Sequence, residues 1–135
     1  MGAWGPGIFD DDAAYDFVEI LQDTDDPIEV FTSSFETAIA ADYLDYDDAH
    51  AATVSAAYMD AILNGTTYES ENEDALHSFK EEKKNLPVQP LKTLAVKVLQ
   101  KVISDQSELH QLWQENEELY PQWKQNIQSL IGRLR

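Results

Sequence analysis

The segment from Leu91 to Ile103 constrains the fold more than any other. Leu91, Leu94, Ala95, Val98, Leu99, Val102 and Ile103 recur at spacings of three and four, and Lys92, Lys97 and Lys101 share the other side. Such a period belongs to an α-helix with one face on a core and the other in water. The same period recurs along the chain. Ala13, Phe17, Ile20 and Leu21 mark a first helix, and Phe31, Phe35, Ala38, Ile39 and Tyr43 a second. Val54, Tyr58, Ala61 and Ile62 mark a third, and Leu76 with Phe79 a short fourth. Beyond Ile103, Leu109, Leu112 and Trp113 lead toward Leu119 and Tyr120, and Trp123, Ile127, Leu130, Ile131 and Leu134 complete the series. Strand-like alternation is almost absent and no fixed-period repeat is visible. The expectation is an all-α fold: a compact irregular bundle of six or seven short helices without significant sheet.

Punctuation residues set the expected boundaries. Asp10 is placed to cap the first helix, with Asp11 and Asp12 in its first turn, where acids suit the positive end of the dipole. Pro27 suits the first turn of the second. Asp47 or Asp48 caps the third, and Asn64-Gly65 supplies a left-handed stop. That helix is rich in alanine and other small residues, which allows close approach and predicts a central position. Ser70 with Glu73 reads as a capping box, and Asp105 with Glu108 as a similar pair. Pro121 is expected to break or kink the helix it falls in. At 135 residues the chain is expected to form one domain. It divides into acidic helices over 10–84, a proline-marked connector over 85–90, and mixed-charge helices over 91–134.

Charge is distributed unevenly. The chain carries 26 acids against 9 bases, a net charge of −17, and residues 1–79 hold 19 of the acids and no Lys or Arg. A field of that sign repels phosphate backbones and anionic lipid surfaces, so neither nucleic acid nor membrane is an expected partner. It attracts basic proteins, polyamines and divalent cations. The absence of cysteine excludes disulfides, thiolate catalysis and cysteine-zinc sites. No stretch approaches the roughly 20 apolar residues of a membrane span, and no secretion signal precedes the first helix. A cytoplasmic location is the expectation.

Known motifs fail at the positions they require. Gly2, Gly5 and Gly7 do not fit the dinucleotide-binding glycine pattern, and no strand precedes them. Pro6 stands where N-myristoylation wants Ser or Thr. A calcium loop counted from Asp10 meets Tyr15 and Leu21 where glycine and glutamate belong, and one counted from Asp45 meets His50 and Ala56. A site assembled in space from Asp10, Asp12 and Asp16 with Asp45, Asp47 and Asp48 is the remaining metal candidate, while helix capping accounts for the same residues without a metal. His50, His77 and His110 lie far apart, and each is expected at the surface or half-buried. No nucleophile elbow is present, and the Asn64 sequon would not meet the glycosylation machinery in a cytoplasmic chain. The sequence names no catalytic residue, and no cofactor is expected. Trp113 and Trp123 fall on helical stripes and are expected in or beside the core. Trp4 precedes any periodic segment. Glycines around it let the backbone bend, and it is expected to plug the open end of the bundle with Ile8 and Phe9 as further anchors. A lid over a pocket and an exposed hot spot are the alternatives.

The opening stretch also resembles the N-terminal signature of the bacterial family named domain of unknown function 4259, whose members tend to start G-A-W-G-x-G-x-F-D-N-D-x-A-x-D-W. Gly2, Ala3, Trp4, Gly5, Gly7, Phe9, Asp10, Asp12, Ala14 and Asp16 match, while Asp11 stands for the usual Asn and Phe17 for the usual Trp. Leu112, Trp113, Glu115 and Trp123 resemble the family's C-terminal pattern. The resemblance implies a small, mostly helical, cytoplasmic protein, and it supplies no activity, cofactor or catalytic residue. Trp4, Phe9, Asp10, Asp12 and Asp16 are therefore candidates for partner binding. The leading functional expectation is a non-enzymatic interaction protein whose acidic half engages a basic partner, in the manner of an inhibitor or immunity protein. A divalent-metal enzyme or sensor built on the N-terminal aspartates is the alternative.

Overall fold

The computed structural model describes residues 3–68 and 73–135, apart from the side chain of residue 73. Seven α-helices follow one another among them: α1 Asp12–Asp23, α2 Pro27–Ala40, α3 Tyr46–Asn64, α4 Glu73–Glu82, α5 Lys92–Val102, α6 Glu108–Gln114 and α7 Tyr120–Leu134. A single 3₁₀ turn, Gln89–Leu91, leads into α5. Pairing between extended segments among the described residues is confined to two isolated bridges, Ala3 with Asp11 and Leu44 with Ser107. The fold is all-α.

α3 is the axis of the bundle. It touches α1, α2, α4, α5, α6 and α7, and its residues are buried continuously from Ala52 to Ala61. A helix buried all round needs small side chains so that neighbours can approach from every direction, and α3 contributes Ala49, Ala52, Ala56, Ala57 and Ala61. Phe31 of α2, Phe79 of α4 and Tyr58 of α3 interlock as an aromatic cluster, with Tyr58 and Phe79 centroids 4.9 Å apart. α5 closes the other side against α2, α3 and α7 through Ala95, Val98, Leu99 and Val102. The acidic and the mixed-charge helices thus share one hydrophobic core.

The caps fall a residue or more from their expected places. Asp11, not Asp10, caps α1, accepting from the Ala13 amide at 2.8 Å. Asp45, not Asp47 or Asp48, caps α3, accepting from the Asp48 amide at 2.8 Å. Ser107, not Asp105, caps α6, accepting from the His110 amide at 3.3 Å. In each run of polar residues several could cap, and tertiary contacts choose one. Glu108 instead accepts from the Tyr46 amide at 2.8 Å, which ties α6 to the start of α3. Ser70 of the expected capping box lies outside the described residues. The Asn64-Gly65 stop forms as expected, with Gly65 at φ 72° and its amide on the Ala61 carbonyl at 2.9 Å.

Three other expectations are corrected. Pro121 neither breaks nor kinks a helix; α6 has ended at Gln114, and Pro121 sits in the first turn of α7, where its missing N–H costs nothing. Lys101 is not on a free wet face, because its ammonium donates to the carbonyls of Ala38 at 2.9 Å and of Ala41, closing the C-terminal end of α2. His50 and His110 are buried rather than superficial, whereas His77 is exposed.

Candidate functional site

The residues from Ala3 to Asp11 form a closed loop that leads into α1 and packs against α3 and α7. The Trp4 amide donates to the Asp10 carbonyl at 3.0 Å, and the Asp10 amide to the Gly7 carbonyl at 3.1 Å. The Asp10 carboxylate turns back to accept from the Gly7 amide at 3.0 Å. A Cβ on either Gly5 or Gly7 would stand 2.6 Å from that carboxylate oxygen, so both positions require glycine while the aspartate holds its place. Asn126 of α7 donates to the Pro6 carbonyl at 2.9 Å and fastens the loop from outside.

Phe9 and Ile8 are the buried anchors expected of them, but Trp4 is not the plug. Phe9 is only 2% exposed and packs its ring 5.4 Å from Tyr68 and 6.2 Å from Tyr58, so Phe9 and Ile8 plug the bundle. Trp4 is 53% exposed and rests edge-on against Tyr15 at 5.1 Å. The pairing of Ala3 with Asp11 fixes the strand-like backbone, and the indole is carried onto the outer flank of α1.

Beneath the loop, Asp11 joins α1 to α3. One carboxylate oxygen accepts the Ala13 amide; the other accepts the Tyr46 hydroxyl and lies 3.3 Å from Nε2 of His50, which is out of hydrogen-bond alignment. Burial opposes the charged form of Asp11, but His50, Tyr46 and the Ala13 amide outweigh it and hold the carboxyl below its usual range. The enclosed space bordered by Asp10, Asp11, His50 and Thr53 amounts to about 10 Å³. That is room for one water, far short of the hundreds of cubic ångströms a substrate needs. The cluster therefore serves to join elements.

The other expected site residues separate. Asp10 faces inward onto the loop, whereas Asp12 and Asp16 are exposed on α1. Among the described residues no group of three or more histidines and carboxylates is placed to hold a metal ion. Asp16 does meet Asp47 and Asp48, across an open groove between α1, α2 and α3. Phe17 and Ile20 contribute its apolar lining, and Ile20 is 53% exposed. Burial, together with the nearby Asp45 and Asp47 carboxylates, pushes the Asp48 carboxyl above its usual range.

A second buried carboxylate has no counterpart in the sequence reading. Asp60, on the last turns of α3, is fully buried and accepts from Asn64 at 2.7 Å, Tyr68 at 2.6 Å and Nε of Arg133 at 2.8 Å. Burial and then Asp60 raise the Tyr68 hydroxyl well above its usual range. Burial of Arg133 is outweighed by its bonds to Asp60 and Tyr68, and its guanidinium is held more firmly charged. The sequence signal was a lone acid within an alanine-rich helix, whose partner lies 73 residues away. Trp113 and Trp123, which also border the small space beneath the loop, stack at 5.8 Å as core residues, and His110 meets the Tyr120 hydroxyl at 2.7 Å. Burial lowers the His110 pKa, with Asp105 opposing and Lys124 assisting.

An all-α fold, with seven helices among the described residues and a glycine-bounded loop fastened to α7, is the class these features define. The sequence matches the family described as Domain of unknown function (DUF4259) over residues 2–126, and the chain belongs to it. No curated protein and no solved structure shows significant similarity to the chain. No helix among the described residues is long and apolar enough to cross a membrane.

Proposed function

We propose that this is a non-enzymatic interaction protein whose acidic half binds a basic partner. The observation that carries the reading is the outer surface of α1. Asp12, Asp16, Glu19 and Asp23 are all exposed there, spaced as a continuous ridge, and no Lys or Arg occurs anywhere in residues 1–79 to neutralise them. Exposed aromatic and aliphatic surface flanks the ridge, with Trp4 against Tyr15 on one side and Ile20 on the other. An anchored backbone displaying a tryptophan beside unpaired charge is the composition of a binding hot spot. Shielding of a basic toxin or nuclease, as an inhibitor or immunity protein does, is the form of binding this charge layout suits best.

Long-range attraction between exposed charges is screened as salt rises from about 50 to 500 mM. Affinity capture from the native host at the two concentrations tests the reading. The expected result is basic proteins retained at low salt and released at high salt. Retained proteins that are neither basic nor salt-sensitive would overturn it.

A further inference from the structure

We propose that the groove between α1, α2 and α3 is where the basic partner is read, and that it receives an arginine side chain. This rests on the reading that the acidic half binds a basic protein, and it assigns a place and a chemistry to that contact.

The groove has three kinds of lining, each matched to one part of arginine. Phe17 and Ile20 of α1 offer apolar surface, and Ile20 is more than half exposed. Asp16 of α1 and Asp47 and Asp48 of α3 supply carboxylates from two different helices. Ser33 and Thr37 of α2 line the wall between with hydroxyls, which accept further hydrogen bonds. An arginine carries a three-carbon stem that covers apolar surface and a planar head with five donors in a fixed fork. The fork suits carboxylates approaching from separate directions better than a compact ammonium does.

This groove gathers three carboxylates with no Lys or Arg in its lining, whereas the grooves lined by Asp74 also hold Lys80 or Lys83. Asp45, Asp47 and Asp48 crowd the start of α3, and the Asp48 carboxyl is raised above its usual range by burial first and then by repulsion from Asp45 and Asp47. A guanidinium placed among them removes that repulsion. Asp25 and Asp42 are exposed and do not line this groove.

The test titrates an acetylated, amidated hexa-arginine peptide into the full chain at about 150 mM salt, where diffuse attraction is largely screened. Three variants are compared: Asp47→Asn/Asp48→Asn in the groove, Asp25→Asn/Asp42→Asn outside it with the same change in charge, and Ile20→Ser, which changes no charge. All the substituted residues are exposed or half-buried, and thermal melts verify that the variants fold. Loss of the groove carboxylates is expected to weaken binding about tenfold, the size of one charge-assisted hydrogen-bond pair. The outside pair is expected to change it less than about twofold, and Ile20→Ser to weaken it about threefold. Equal weakening by the two charge pairs, or no effect of Ile20→Ser, overturns the groove while leaving the broader reading standing. No binding of the peptide even at about 50 mM salt removes both.

Discussion

Trp4 and Phe9 stand five positions apart in one glycine-rich loop and meet opposite environments. Phe9 fills the end of the core, so Phe9→Ala should cost about 3–5 kcal/mol through lost burial and the cavity left behind. Trp4→Ala should cost no more than about 0.5–1 kcal/mol, since its indole is half in water and loses chiefly the edge contact with Tyr15. Urea midpoints of the two variants measure the difference, and an equal loss would return the plug to Trp4. Asp11 supplies a prediction in pH. Its carboxyl is held below the usual range in the folded state, while an unfolded aspartate titrates near about 3.9. The stabilisation is therefore complete above that value and lost as pH falls through the lower folded value. Acid unfolding followed by circular dichroism should be shallower below about pH 4 in Asp11→Asn than in the parent. Identical acid limbs would show that the carboxylate is not held by its partners.

Elements divide into those whose sequence names their inward face and those whose neighbours must choose it. α5 belongs to the first kind, because its apolar residues form one stripe and its centre is buried as expected. α1 belongs to the second. Two adjacent stripes run along it, Ala13-Phe17-Ile20 and Ala14-Val18-Leu21, and both have helical spacing. The second is buried and the first borders the groove, a choice made by packing on α3. α2 ends at Ala40, closed by Lys101, which leaves Ile39 exposed and Tyr43 in the following loop with its hydroxyl on Gln111 at 2.5 Å. α7 is held at its far end by Arg133 on Asp60. Arg133→Ala leaves a fully buried carboxylate without its cation and should cost about 3 kcal/mol. Pairing it with Asp60→Asn should recover part of that loss in a double-mutant cycle. Strict additivity of the two substitutions would show that the pair does not act as a unit.

Across the whole molecule, α3 reconciles a divided charge distribution with an undivided core. The acidic helices and the mixed-charge helices each lean on it, so their apolar faces merge in one core, and Arg133 on Asp60 and Lys101 on the end of α2 join the two halves. The helical class, the central place of the alanine-rich helix, the Gly65 stop and the inward face of α5 were all legible in the chain. Each depends on local spacing or on one residue's backbone preference, and those travel with the sequence. The pairs Asp11 with His50, Asp60 with Arg133 and Lys101 with the end of α2 were not legible, because each joins residues from 39 to 73 positions apart. The groove was half legible: its acids were candidates, but Asp10 was grouped with them and Phe17 and Ile20 were assigned to the core. Hydrophobic periodicity says that a helix has an inward side and how wide it is. Which of two equal stripes takes that side, which of several aspartates caps, and which aromatic is left in water are settled only when neighbouring helices compete for the same volume.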